Sequence, residues 1–366
     1  MKSLFCLLIL LVLTTEAVHA LPRTVTVILK DKNDHCDKIG LVAPFRVKDK
    51  TFGRGKFVLQ TTDNDEVELF EILARKTLVK QRVIEITPIL SGVRLGERKY
   101  AGVLKVRANK YLEIINIVPS KDYVESVVGS ELPPHFEDEA YKALAILTLT
   151  RLELLGASST RLATSIVDST QYENYTGLQA VTPRTKSCVQ AVINKRLFYG
   201  GHQAPKVYYH SACAGGTSSA ESVFGEGGRG LKYLKGVKCD YCQESPFWNE
   251  KEHNVPRQKF LKLFGGKFPT VEESDKEGRP TRLAINNKKA SGYKVWLGLG
   301  RTFGWGAVPG NKYNFSDSQD PRFVVLRSRG AGHGVGLCQW GANEQAKQGK
   351  TYREILKFYF PDCQIR

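Results

Sequence analysis

A single glutamate and a few short cysteine and histidine spacings hold most of the chemistry this chain could perform. Glu131 stands in Ser130-Glu131-Leu132-Pro133-Pro134, where the prolines keep it outside the helix that follows. A carboxyl group in a low-dielectric cleft holds its proton to higher pH and can pass it to a departing oxygen, which is general-acid chemistry. The plainer role for such a residue is a cap or a salt bridge in a loop. His210-x-x-Cys213 and Cys239-x-x-Cys242 form two ligand pairs separated by 25 residues. One imidazole and three thiolates fill a tetrahedral zinc shell with no place for water, so a zinc ion held this way is structural. Disulfide pairing of the same cysteines is the other reading, and both stand.

A glycine-rich run, Gly330-Ala-Gly332-His333-Gly-Val335-Gly336-Leu-Cys338-Gln339-Trp340-Gly341, is the third candidate. No Lys-Ser/Thr follows it, and Gly330-x-Gly332-x-x-Val335 fails the dinucleotide fingerprint. It is therefore not a phosphate-binding loop. His333 reads either as a polar cleft residue or as a satisfied structural histidine. Trp340, Tyr208 and Tyr209 read either as rings that stack on a ligand or as core filling.

The elements that must position these residues change character along the chain. From 24 to 118, short β-branched runs at 24–29, 57–60, 67–72, 83–86, 103–106 and 111–118 alternate with turn residues and predict strands. Tyr123, Val124, Val127 and Val128 then predict a short helix capped by Ser120 and ending near Gly129. The pattern at 137–155 predicts a long helix with acids in its first turn, apolar nearly all round and therefore buried. Residues 172–182 and 188–193 read as short strands. A helix is expected at 256–264, and Thr351-Tyr-Arg-Glu354 fits a capping box that opens a last helix through Tyr359. The mixed order implies an α+β fold: a β-rich part at 21–118, then a part at 119–366 that builds a central cleft.

With 366 residues the chain holds two or three domains. Apolar residues at 42% and charged residues at 25% exclude a wholly disordered or collagen-like chain. Lys+Arg at 54 against Asp+Glu at 37 gives a net charge of +17, which favours polyanions: nucleic acid, an acidic membrane or an acidic cell-wall polymer. The most basic stretch, 257–301, has eleven Lys/Arg against four Asp/Glu. Lys2, the apolar run 4–13 and Val18-His19-Ala20 predict a signal peptide at 1–20, cut after Ala20. Ten apolar residues are too few to span the ~30 Å of a bilayer core. An exported protein with seven remaining cysteines has at least one thiol outside any intramolecular disulfide.

Three blocks together resemble the stage II sporulation protein D family, also called the amidase-enhancer family. They are 123–145 around Glu131, 208–217 with Cys239-Asp-Tyr-Cys242, and 330–356 with its His333-Gly-Val-Gly-Leu-Cys-Gln339-Trp340-Gly-Ala and Ala346-Lys-Gln-Gly349 signatures. Residues 168–177 also look like a family stretch. The resemblance spans nearly the whole chain after residue 20. It implies a lytic transglycosylase that cuts peptidoglycan between N-acetylmuramic acid and N-acetylglucosamine, leaving 1,6-anhydro-muramic ends. It also implies that Glu131 is the single catalytic acid. The loop with Ser211, Gly215, Gly216 and Thr217 would border the substrate cleft, and Tyr209, His333, Gln339 and Trp340 are candidate sugar contacts. Some relatives look as if they carry zinc near this loop, which fits His210, Cys213, Cys239 and Cys242. In the family an Arg tends to stand eighteen residues after the Glu; here that position is Leu149, and the charge falls at Arg151.

The signal peptide points to the periplasm or cell envelope, the resemblance to peptidoglycan strands with a cell-wall amidase or division proteins as partners, and the basic charge to peripheral contact with an acidic membrane. A non-catalytic, wall-binding enhancer of an amidase is the alternative. No RRM, helix-turn-helix or zinc-finger helix pattern accompanies the positive charge, so nucleic acid is not expected.

Overall fold

Residues 24–119 fold into strands because β-branched and aromatic residues alternate between a buried and a solvated face. The computed structural model describes residues 21–30, 35–157, 165–168 and 173–366. The expected signal peptide at 1–20 lies outside the described residues, as do Gln171 and Tyr172. A seven-stranded sheet runs in the order Ser165–Val167, Thr24–Ile28, Tyr111–Pro119, Val103–Asn109, Val83–Pro88, Phe45–Val47, Lys50–Phe52. A six-stranded antiparallel sheet runs in the order Arg98–Tyr100, Val93–Leu95, Lys38–Val42, Lys56–Thr61, Val67–Glu71, Lys76–Gln81. Both contribute apolar residues to one core.

Among the described residues, eight helices follow: α1 Ser120–Glu131, α2 Asp138–Ala157, α3 Pro183–Ala191, α4 Ala220–Phe224, α5 Arg257–Leu263, α6 Gly292–Phe303, α7 Gln339–Lys347 and α8 Tyr352–Tyr359. The fold is α+β. Helix α1 differs from its expected form at both ends. Its cap is Pro119, because the Ser120 hydroxyl donates to the Pro22 carbonyl instead. It also runs on to Glu131, since Ser130 and Glu131 still have helical geometry before Leu132 turns extended. Helix α2 is buried nearly all round, as its sequence implies, and packs on α1, α3, α7 and α8.

The strand expected at 188–193 is α3 and the turn after it. Thr182 accepts from the Thr185 amide at 3.1 Å and Pro183 sits in the first turn, which together start a helix. Thr185, Cys188, Val189 and Val192 are all buried, a helical rather than an alternating spacing that the β-branched residues disguise. The described part of 172–182 is one bridge at Glu173, a loop and a turn, because Gly177 takes a positive φ of 65° beside the Lys99 carbonyl. The expected helix at 256–264 is α5, and Thr351 with Glu354 forms the expected capping box of α8.

One hydrophobic core extends from Val25 to Cys363 and is continuous across residues 118–119. A second core of eleven buried residues, including Val255, Phe260, Trp296, Leu299 and Leu326, lies within 251–329. Helices α5 and α6 and two three-stranded sheets enclose it.

Three pairings position the site. Tyr209–His210 pairs in parallel with Leu337–Cys338. Gly215 pairs with Cys239. The third rests on Asn116, fully buried on the strand that leads into α1. Its Nδ2 donates to the carbonyls of Ala101 at 2.9 Å and Val103 at 3.2 Å, and its Oδ1 accepts from the Tyr175 hydroxyl. A polar residue in an alternating apolar strand thus anchors the loop that carries Glu173 and Asn174. Replacing Asn116 by Ala strands these partners in the core and should cost about 3 kcal/mol. Chemical denaturation should show that loss, and an unchanged midpoint would refute the anchor.

Candidate functional site

Glu131 closes α1 with its carboxyl turned into the protein. One oxygen accepts from the Asn174 backbone N–H at 2.8 Å and the other from Gln339 Nε2 at 3.2 Å. Burial pushes its pKa above the ordinary carboxylate range; the two donors pull it down, Glu173 raises it and Arg151 lowers it. The residue is half-buried and lines an open cavity of about 490 Å³ with Arg98, Pro133, Thr176 and Gln179. A cavity of about 600 Å³ beside α8 is larger, but its carboxylate, Glu354, is committed to the capping box.

A second carboxylate stands behind the first. Glu173 is 3% exposed. It pairs with Arg151 at 3.5 Å and accepts from the hydroxyls of Tyr123 and, at 3.4 Å, Tyr209. Both its oxygens are engaged, so it supplies a field rather than a nucleophile. Burial, then the charges of Glu131 and Glu173, raise the Tyr209 phenol well above its usual range and keep it a donor. Leu149 is fully buried in the core, whereas Arg151 reaches the site through Glu173. The two-position displacement therefore still brings a guanidinium into the field of the acid.

The sulfur cluster differs from the expected ligand set. Cys213, Cys239, Cys242 and Cys338 are buried and their sulfurs lie within 4.8 Å of one another. A tetrahedral ion with bonds of about 2.3 Å to sulfur would place the sulfurs about 3.8 Å apart, so four thiolates fit one ion here. Cys213 and Cys242 sulfurs are 3.5 Å apart, and no disulfide joins cysteines among the described residues. The mutual thiol hydrogen bonds push Cys242 well down and hold Cys213 up, so the set titrates as one. His210 is not part of it. Its Nδ1 is 3.1 Å from the Val335 carbonyl, and Cys338 stands as the fourth member of the set. Cys338 also caps α7, its sulfur accepting from the Gly341 amide at 3.4 Å and the Cys213 amide at 3.3 Å.

The remaining candidates divide. Gln339, first residue of α7, touches Glu131 directly. Trp340 is half-buried, edge-on to Phe136 at 5.0 Å and near His135, with its amide bonded to the Ser211 carbonyl at 3.0 Å. Thr217 is buried and its hydroxyl accepts from Val237 at 2.9 Å, so its side chain serves the loop rather than a ligand. Gly215 and Gly216 pair with the Cys239 strand; a Cβ on Gly216 would strike the Glu277 carboxyl at 2.1 Å. His333 accepts from the Val335 amide at 3.1 Å and packs against Tyr208, Phe224 and His210. Burial, then Arg279, lowers His333 to about 4, so it is neutral near pH 7. Arg279, 2% exposed, reaches in from the second core and donates to the carbonyls of Cys213 at 2.6 Å and Gly216 at 2.9 Å.

A family model described as Stage II sporulation protein matches residues 108–199, which include Glu131, Arg151 and Glu173. Stage II sporulation protein D of Bacillus subtilis is 29% identical over 268 residues, covering 68% of this chain and 74% of that one. Over these stretches the chain is similar to the stage II sporulation protein D family. A protein of Brachyspira hyodysenteriae named only as uncharacterized is 28% identical over 280 residues, covering 74% of this chain and 73% of that one. The amidase enhancer of Bacillus subtilis is 42% identical over 43 residues, 12% of this chain and 6% of that one.

Sequence reasoning missed Cys338, Asn174, Glu173, Arg151 as a site residue, and Arg279. Cys338 lay in plain view inside the glycine-rich block, 96 residues after Cys242, too distant for a ligand-spacing rule. Asn174 acts through its backbone, which no side-chain motif reveals. Glu173→Gln should lower the pKa of Glu131, because it removes a neighbouring negative charge. Gln339→Leu should raise it, because it removes a donor to the ionised form. Carboxyl NMR titration of Glu131 checks both signs, and shifts in the opposite directions would overturn this electrostatic picture.

Proposed function

We propose that the protein is an exported lytic transglycosylase of peptidoglycan, with Glu131 as its one acid and base. The observation that carries this is a burial-raised carboxyl held by Asn174 and Gln339 on the edge of an open cavity. Glu131 gives its proton to the glycosidic oxygen as the bond to the muramic anomeric carbon breaks. The muramic C6 hydroxyl then bonds to that carbon, and its proton returns to Glu131. The product is a 1,6-anhydro ring, and no water is consumed. Hydrolytic enzymes of the usual kind need a second free carboxylate. Glu173 cannot serve as one, since Arg151, Tyr123 and Tyr209 occupy it. Tyr209, Ser211, Trp340 and the half-buried Gly215 are the remaining candidates for glycan contact.

The Cys213, Cys239, Cys242 and Cys338 set would hold one zinc ion with a closed shell. Its service would be structural: joining the Cys213 loop and the Cys239 strand to the start of α7, and so fixing Gln339 against Glu131. Metal analysis of the purified protein should find one zinc per chain. Chelation under mild denaturant should lower the unfolding midpoint, and Cys338→Ser should mimic it. Two disulfides detected by mass, with no metal, would refute this.

Family likeness also supports the cell envelope as location, with a cell-wall amidase or division proteins as partners. No helix among the described residues is long and apolar enough to cross a membrane. The short match to an amidase enhancer supports a second reading, a wall-binding protein without chemistry of its own.

Mass analysis of fragments released from purified peptidoglycan separates the two. The chain should release anhydro-ended fragments, and Glu131→Gln should release at least about a hundredfold fewer while still sedimenting with wall. Equal release would defeat the enzyme reading. The variant should stay folded. A carboxyl whose pKa is raised by folding contributes stability below its unfolded value of about 4.3 and loses it as pH rises through the folded value. Glu131→Gln removes that loss, so at pH 7 it should unfold no earlier than the parent.

A further inference from the structure

The six-stranded sheet has two unlike ends. Register places Val42, Lys56, Glu71, Lys76 and Arg94 at one end, through the pairs Val42 with Lys56, Val42 with Arg94, Phe57 with Glu71, and Glu71 with Lys76. The loops leaving that end are 53–55, 72–75 and 89–92. Six large apolar side chains are exposed among the described residues, and four of them are here: Ile72, Leu73, Ile89 and Leu90. Leu73 is 85% exposed and Leu90 67%. Three strand spacings, about 14 Å, separate the two apolar loops.

Charge sorts the same way. Arg54, Lys56, Arg75, Lys76 and Arg94 are exposed at the apolar end, against a half-buried Glu71. Asp37, Asp63, Asp65 and Glu97 are exposed at the opposite end, beside the turn joining Thr61 to Val67 and the turn joining Leu95 to Arg98, where they outnumber the exposed Lys38, Lys80 and Arg82. Two protruding aliphatic pairs ringed by cations, with acids held away, complement an interface of apolar tails beneath anionic headgroups. A partner protein would need a continuous apolar face, whereas these pairs are separate tips.

We propose that this end of the sheet docks on an anionic lipid bilayer, with Ile72, Leu73, Ile89 and Leu90 inserted and the five cations on headgroups. Docking there would also orient the cavity of Glu131. The 89–92 loop is tied to Lys99, whose Nζ donates to the Ser91 hydroxyl at 3.1 Å. The Lys99 carbonyl in turn accepts from the Leu178 amide at 2.6 Å, next to the cavity wall at Gln179 and Ala180. The catalytic cleft would then face glycan close to the membrane. The docking itself does not depend on the chemistry at Glu131.

The test is co-sedimentation of the chain with vesicles of phosphatidylglycerol mixed with phosphatidylcholine, and of phosphatidylcholine alone. The parent should bind the anionic vesicles, weaken as salt rises, and bind neutral vesicles poorly. Changing Ile72, Leu73, Ile89 and Leu90 together to Ser should weaken binding roughly tenfold or more. Leu73→Ser alone should weaken it in part, and Leu263→Ser, exposed on α5, should leave it unchanged. Equal binding to both vesicle types, binding unaltered by the fourfold change, or a patch-dependent dimer that ignores vesicles would each overturn the proposal. Changing both lysines and all three arginines of the rim to Gln should abolish the preference for anionic lipid, and a retained preference would count equally against it.

Discussion

A carboxyl group withdrawn from water, yet left with one edge on a cavity, is the constraint on which the molecule turns. Glu131 is expensive to ionise where it sits, and two donors soften that cost: a backbone N–H and an amide side chain. Each donor comes from a different part of the chain. Asn174 is held by the loop that Asn116 and Tyr175 anchor. Gln339 opens α7, which Cys338 caps at the end of the strand that pairs with Tyr209–His210. The acid therefore exists as a functional group only when strand, loop and glycine-rich block are all in place. One core accordingly runs across residues 25–363 and joins the β-rich sheets to the helices and loops that hold the acid.

The field around the acid is layered in the same sense. Glu173 lies behind Glu131 and raises its pKa, while Arg151 neutralises Glu173 and tempers that effect. A bare second carboxylate would compete for the proton. One tied to a guanidinium and two phenols can only polarise the site. The second core serves the opposite flank, where Arg279 crosses from it to clamp the carbonyls of Cys213 and Gly216. Sulfur cluster, glycine loop and the second core are thus tied together through Arg279.

Much of this was legible in the chain itself. The alternating runs before Pro119 announced the sheets, the acid-led apolar stretch at 137–155 announced a buried helix, and Thr351 with Glu354 announced the last helix. Glu131 and Gln339 were named from motifs, and the structure puts them in contact. What escaped had physical reasons. Residues 188–193 carry β-branched side chains at a spacing that burial, not propensity, decides. His210 has the right spacing to Cys213, yet its ring is bound to the Val335 carbonyl, while Cys338 arrives from a strand 125 residues further on. The Glu173–Arg151 pair links a loop to a helix, and no local pattern forecasts a contact of that kind.

The most direct measurement is a structure of the chain bound to an intact peptidoglycan oligosaccharide, with the Glu131→Gln substitution in place to prevent turnover. The account predicts a muramyl–glucosaminyl bridging oxygen within about 3 Å of the side-chain amide introduced at that position, and the muramic C6 hydroxyl on the same side. A glycan seated elsewhere, or seated with its bridging oxygens turned away from that side chain, would contradict it.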